Sequence, residues 1–430
     1  MFCTERLVWG GLRIVSTIIL ASPLLVAQTQ NPPPAGEVHA LTRRMEALEA
    51  QLAATNAELQ AIKAEQAKQV SPSGSAAVLP ENENESSEAS VSTEAAATER
   101  LQLGGIHLRV FGDVRLEGSD TRRDKTSFRM DDLDVFLNSR LSDKLSALTD
   151  VNFHFGGEFT AIPIIDRIRL RYEHSQNFGF EVGRFHTGIG YSNDAFHQGR
   201  WLLTTVNRPF FLEFSGEAGI LPDRMTGISA NGDIPSGRLG LKYLAEVGSA
   251  ETQRNMFSND DQFIDENNGL GINLALIAKP GRWPGFQAGF SFYRDRMSPV
   301  TSQGIALSPM GQQIYAAHAL YQNTSFQFLN EVILVRHELR NGSRVVFDSP
   351  AFYSLLSRSF GAVRPFLRYQ YFNASNNEPI YSDLGRRNGP SAGIRYDFSE
   401  YADFKAQYDH MDDNNRKPSN GGQLQIDFTF

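Results

Sequence analysis

From Leu101 to Phe430, apolar and polar side chains alternate in run after run, while the residues before them follow a different rhythm. The clearest runs are IHLRVFGDVRLEG, DLDVFLNSR, KLSALTDVNFHF, DRIRLRYEH, FGFEVGRF, RLGLKYLAEVG, GLGINLALIA, GFQAGFSFY, VRPFLRYQYF, SAGIRYDF, DFKAQYDH and QLQIDFTF. Side chains on a strand point alternately to its two faces, so each run predicts a strand with one apolar and one polar face. The stretch from Gln312 to His337 alternates poorly. Short turns fall at 142–144, 175–177, 232–237, 279–285, 322–325, 359–362 and 399–400, and longer polar segments at 118–127, 156–163, 186–223, 249–268, 295–312, 340–349, 374–388 and 411–421. Seven turns interleaved with eight loops enclose sixteen antiparallel strands whose two ends lie on the short-turn side. That asymmetry predicts an all-β transmembrane barrel, with turns on the periplasmic side and loops outside. A soluble sandwich or propeller has no need of it.

The faces follow from charge. On DRIRLRYE, Ile168, Leu170 and Tyr172 share one face, and Arg167, Arg169, Arg171 and Glu173 the other. A charged side chain pointing into lipid costs about 2–4 kcal/mol at mid-depth, so the second face predicts a wet interior. The same division sets Lys242 and Glu246 against Leu241, Tyr243, Ala245 and Val247, and Arg364 and Arg368 against Val363, Leu367 and Tyr369. The predicted pore lining is Arg109, Arg115, Arg167, Arg169, Arg171, Glu173, Lys242, Arg364, Arg368 and Arg395, with Asp113, Glu181, Glu246, Asp397 and Asp427 as opposing acids. Rings of arginine favour anions, while a mixed lining equally suits a transverse field. Tyr172, Phe178, Phe180, Phe292, Tyr369, Tyr371, Tyr396, Phe398, Tyr401 and Phe430 sit near strand ends on the apolar face, where interfacial girdles form.

One loop breaks the rule that loops are polar. HTGIGYSNDAFHQGRWLLTTVNRPFFLEFSGEAGILPD carries Trp201, Leu202, Leu203, Phe210, Phe211, Leu212 and Phe214, which need burial. The expectation is that it folds inward against the lumen wall and narrows the pore, with Arg200, Arg208 and Glu213 facing the opening. A subunit interface or an overlooked strand would also bury it.

The amino-terminal part reads differently. Residues 1–27 have the form of a secretory signal, with Arg6 and Arg13 before an apolar run and Ala27 at a cleavage position; an uncleaved anchor helix is the alternative. A proline-rich lead covers 28–37. Over 38–68, Val38, Leu41, Met45, Leu48, Leu52, Thr55, Leu59 and Ile62 recur at spacings of three and four, which predicts a self-associating periplasmic coiled coil, dimer or trimer, with a single amphipathic helix packed on its own protein as the alternative. Residues 69–100 are acidic and rich in Ser and Ala, the composition of a disordered linker. The barrel then spans 101–430.

Composition narrows the chemistry. With 41 basic against 49 acidic residues, nothing points to nucleic acid. The only cysteine, Cys3, precedes the cleavage position, so the mature chain is expected to hold no thiolate site. The nine histidines are scattered without a metal-ligand repeat, and no catalytic residue, cofactor or metal site is predicted. The acidic loop around Asp260, Asp261, Asp265 and Glu266 lacks EF-hand spacing and reads as solvated.

The order FRMDDLDVFLNSRLSDKLSALTDVNFHF, then IRLRYEHSQNFGFEVGRF, a long loop ending near NRPF, and a terminal Phe430 resembles the sixteen-stranded porins of Gram-negative outer membranes. It resembles most the phosphate-selective porins O and P and their coiled-coil-bearing relatives. After GRF the chain continues HTGIGYS where Pro-Phe-Gly is common in that family. The resemblance implies a homotrimer in outer-membrane lipid, passive uptake of small anionic solutes through a loop-constricted pore, and recognition of the last strand, with Phe428 and Phe430, by the barrel-assembly machinery. A tethering role, with the barrel as anchor and the coiled coil on the cell wall, is the competing expectation.

Overall fold

The computed structural model describes residues 102–103, 105–120, 126–130, 132–155, 161–196, 200–213, 219–250, 269–298, 308–339 and 345–430. The signal, lead, coiled coil and linker predicted over 1–100 lie outside them, as does the acidic loop around Asp260. The strands are β1 (Ile106–Ser119), β2 (Asp132–Arg140), β3 (Leu145–Phe155), β4 (Ala161–Ser175), β5 (Phe178–His186), β6 (Arg224–Ile234), β7 (Leu241–Ala250) and β8 (Gly271–Ala278). They continue as β9 (Phe286–Met297), β10 (Met310–Gln322), β11 (Phe326–Leu339), β12 (Val346–Arg358), β13 (Val363–Asn373), β14 (Arg386–Asp397), β15 (Ala402–Asp413) and β16 (Ser419–Thr429). Each pairs antiparallel with its neighbours in the chain, and two short segments, Gln102–Leu103 and Ser127–Arg129, pair along β1. The sixteen-strand reading holds, and the poorly alternating 312–337 stretch forms most of β10 and β11.

β16 pairs with β1 from Gly421↔Ser119 to Thr429↔Phe111, and the backbones of Phe430 and Val110 exchange hydrogen bonds of 2.8 and 3.1 Å. This seam leaves no open edge, which no lipid-facing sheet tolerates. Its register rests on one close fit. Phe428 faces Gly112, and a Cβ there would collide with the Phe428 ring. On the same strand Ile426 is 48 % exposed, while Gln425 and Asp427 are 1 % and 0 % exposed.

That inversion runs round the sheet. Ile168, Leu170, Val182, Ile228, Leu274, Val332, Leu367 and Ile394 are exposed, while Asp150, Arg167, Glu181, Glu246, Arg368 and Lys405 are buried. A water-soluble fold buries the first set and exposes the second. Apolar side chains round the outside of a closed sheet match a solvent of hydrocarbon. At strand ends the expected aromatics are on the outside, with Phe178, Tyr396, Phe398, Tyr401 and Phe430 exposed.

β4 carries a bulge between its pairings Asp150↔Arg167 and Val151↔Ile165. The extra residue is Asp166, buried together with Arg167, while Ile165 and Ile168 on either side remain exposed. Next to it, Gly183, Gly227, Gly248 and Gly271 face one another across β5 to β8. Gly183 has a φ of 138°, and a side chain there would strike the Ile168 carbonyl. Glycine permits this close backbone approach, which suits a sharp bend in the wall.

The inward faces of β9 to β13 are apolar too. Tyr293, Ile314, Leu329, Ile333, Val335, Ala351, Leu355, Phe366 and Phe372 form one cluster with Ile189, Phe196, Leu203, Phe211, Leu212 and Ile220 of the long loop. This explains the weak alternation over 312–337: strands apolar on both faces lose their period of two. The 374–388 segment, expected as a polar outside loop, also departs from expectation. Ala374, Ile380, Tyr381 and Leu384 join the same cluster, because these apolar side chains find the long loop already within reach.

Candidate functional site

The long loop between β5 and β6 spans 187–223, and among its described residues the regular structure is one helical turn at Ser192–Ala195 and a 3-10 turn at Phe210–Leu212. Its backbone polar groups must therefore find partners elsewhere. The inner wall supplies them, strand after strand. Gly188 N–H donates to the Glu246 carboxylate on β7 at 3.0 Å, and Gly190 N–H to Ser291 Oγ on β9 at 2.9 Å. Tyr191 and Ser192 N–H donate to the two oxygens of Glu331 on β11, at 2.8 and 3.2 Å. Further along, Phe210 N–H donates to Gln370 on β13 and Val206 N–H to Gln407 on β15, both at 2.9 Å.

The opposite sense of bonding comes from wall cations. Arg368 donates to Asn207 O at 2.6 Å and to its Oδ1 at 2.8 Å. Arg395 donates to the carbonyls of Trp201 and Leu203 at 2.8 and 2.9 Å, and Lys405 to that of Arg200 at 2.6 Å. Trp201 then reaches across to the apolar patch of Phe111, Phe136 and Leu148 on β1 to β3. Behind the loop a small cavity remains, bounded by Phe196, Leu203, Pro209, Leu329, Tyr353 and Leu355. The loop thus lies inside the barrel, as expected.

The cations belong to a pattern that register alone creates. Arg364, Arg395, Lys405, Gln425 and Arg115 stand opposite one another in sequence across β13, β14, β15, β16 and β1. Two residues along, at about 7 Å, Asp397, Asp403, Asp427 and Asp113 form a parallel row on β14, β15, β16 and β1. Like charges directly opposite each other repel. The two rows offset this by interlocking. Arg395 pairs with Asp397 at 2.6 Å and Asp403 at 3.0 Å, and Lys405 with Asp427 at 3.0 Å.

The remaining predicted lining residues are also met by acids or hydroxyls. Arg167 pairs with Asp150 and Arg169 with Glu181, both at 2.9 Å, and Arg171 with Glu173 at 3.2 Å. Arg115 pairs with Glu117 at 3.3 Å and Lys242 with Asp233 at 3.0 Å. Arg109 donates to Thr429 Oγ1 and lies over the Phe111 ring, and Arg364 donates to Ser359 Oγ at 2.9 Å. Arg169, Arg171 and Lys242 keep part of their surface free, whereas Arg167, Arg368 and Lys405 are buried.

In the loop, Glu213 is half-buried and Arg200 donates to Val206 O. Arg208 differs from the orientation toward an opening: it is buried and donates to Ser192 O, folded into the loop's own underside. Sequence reasoning missed Glu331, Gln370, Lys405 and Gln407 as loop anchors. The one available signal was a polar residue set among inward apolar positions, as Glu331 is between Leu329 and Ile333.

No family model and no curated protein matches the chain. Solved structures do. An anion-selective porin from Comamonas acidovorans matches with a TM-score of 0.55 at 12% identity, over 76% of this chain and 99% of that one. Salmonella typhi OmpF, solved with daunomycin, matches at 0.54 and 12%, over 76% and 97%. Vibrio cholerae OmpT in a trimer form matches at 0.50 and 13%, over 76% and 100%. The class these likenesses define is a fold, the outer-membrane porin barrel. The chain has that fold over its carboxy-terminal three quarters.

Proposed function

We propose that the protein is an outer-membrane porin, a water-filled channel for passive diffusion of small hydrophilic solutes with a modest preference for anions. The observation that carries this reading is a closed barrel, apolar outside, whose long loop between β5 and β6 is bonded to its inner wall. Such a loop leaves a path only along the wall it does not cover. On β4 and β7 that wall presents Arg169, Arg171 and Lys242, and near the turn end Arg109 and Arg364 add positive charge. The paired carboxylates of Glu181, Glu173 and Asp233 weaken the field, so selectivity is small. The anion-selective Comamonas porin of like fold supports the sign, and the trimer form of OmpT supports self-association into a homotrimer. Phe428 and Phe430, ending the seam strand, fit a signal for the assembly machinery.

Single-channel recording of the full chain in a planar bilayer with a salt gradient tests this. The expected result is an ohmic channel whose reversal potential has the anion sign. No conductance, or clear cation selectivity, overturns it.

A further inference from the structure

Residues 374–385, between β13 and β14, belong to no expectation drawn from the channel's charge. They turn inward and are built around a buried hydrogen bond between His337 and Glu378. His337, on the inward face of β11, is 1 % exposed, and its Nδ1 lies 2.5 Å from Glu378 Oε1, itself on a 0 % exposed side chain. Gln312 on β10 meets the other ring nitrogen at 3.0 Å. The second Glu378 oxygen accepts from the N–H groups of Ile380, at 2.8 Å, and Tyr381. One carboxylate thus ties the segment to the wall and folds its own backbone. A buried carboxyl group is retained only where it is hydrogen-bonded, and these partners are present.

The consequence falls on Tyr381. Its ring lies 5.3 Å from that of His337 and edge-on to Phe372 at 5.8 Å, and Phe372 in turn meets Phe210 of the long loop edge-on at 6.3 Å. Its hydroxyl donates to Ile220 O at 3.1 Å. Ile220 N–H donates to Phe211 O at 3.0 Å, so the returning limb of the long loop is joined to its lumen-lying part.

We propose that 374–385 is a second constriction element, a wedge in which Glu378 is the positioning residue and Tyr381 the contact that holds the long loop against the wall. It rests on the porin reading for its effect on current, though not for its effect on the loop.

The test uses the full chain with Tyr381→Phe and Glu378→Ala, and Glu378→Gln as the conservative variant. Two readouts are taken, amide hydrogen exchange over 219–223 in detergent and single-channel conductance with open-channel noise. Loss of one hydrogen bond predicts about fivefold faster exchange in Tyr381→Phe. Glu378→Ala gives a larger increase together with higher conductance and noise, while Glu378→Gln, which keeps an acceptor for the two N–H groups, falls between wild type and Ala. Retained heat-modifiable gel mobility shows that each barrel has folded. If none of the variants conducts, wild type included, but exchange still accelerates, the porin reading fails and the wedge stands. Unchanged exchange in folded Glu378→Ala overturns the wedge, whatever the current does.

Discussion

The wall of β9 to β13 and the wall that runs from β14 through β16 and β1 to β4 are made of the same kind of strand, yet their inward faces are opposites. The first presents Ile314, Leu329, Ile333, Val335 and Phe372; the second presents Asp403, Lys405, Asp427, Asp113 and Arg167. Outward, both show the same apolar surface to the same solvent. The difference teaches that the inside of this barrel is two environments. One is a core, completed by a loop, and the other is a charged lining in which each cation has been given a partner.

The largest expected effect lies where the two meet. Lys405→Ala leaves Asp427 buried without its cation and removes a donor to the loop, a loss of about 3–5 kcal/mol. Urea unfolding in micelles measures it, and a loss below about 1 kcal/mol would mean that the charged rows lie in open water.

Next comes a direct contrast on β11. Ile333→Ala, facing the loop, is expected to cost about 2–4 kcal/mol through the cavity it leaves. Its neighbour Val332→Ala faces lipid and costs under about 1 kcal/mol, since acyl chains fill the space. Equal losses would sink the distinction between an inner core and an outer surface.

On the charged wall, Arg171→Ala changes stability by less than about 1 kcal/mol, because its pair with Glu173 is half in water. It is expected to move the reversal potential toward cations. A stability loss as large as that of Ile333→Ala would place Arg171 in a core instead.

The smallest effect belongs to the loop-side end of the seam. Asn420 donates its backbone and side-chain N–H groups to Asp120, at 2.8 and 2.7 Å, and these bonds hold the carboxyl below its ordinary 3.8. A lowered folded-state pKa adds stability above the ordinary value, and that contribution fades as pH falls through the lowered one. Asp120→Asn should therefore flatten a slight acid sensitivity of local exchange at Asn420, by making exchange at neutral pH slightly faster, toward its acid value.

Much of the architecture was legible in advance because alternation is local. The division of DRIRLRYE and of QLQIDFTF into faces, and the place of most short turns, needed only a few adjacent residues each; the turn expected at 232–237 falls at 235–240, because β6 runs on to Ile234. The apolar loop was legible as an anomaly, since Trp201, Phe210 and Phe211 cannot stay in water. Its anchors were not. Gln407 and Lys405 lie about two hundred positions from the residues they hold, with separations of 201 and 205. On the charged strands, where polar residues fill the inward face, no pattern distinguishes an anchor from a pore-lining residue. Arg368 and Arg395 show this most plainly: both fit the predicted wet face, and both spend their guanidinium donors on loop carbonyls.

By itself the sequence determined which side of the clearly alternating strands meets lipid and that the last closes on the first, because period-two geometry and the penalty for charge in hydrocarbon act residue by residue. Only the tertiary structure decided which inward faces are wet. That depends on where the loops come to rest and on register between strands far apart in the chain, which alone places Lys405 between aspartates and Glu331 beneath two loop N–H groups.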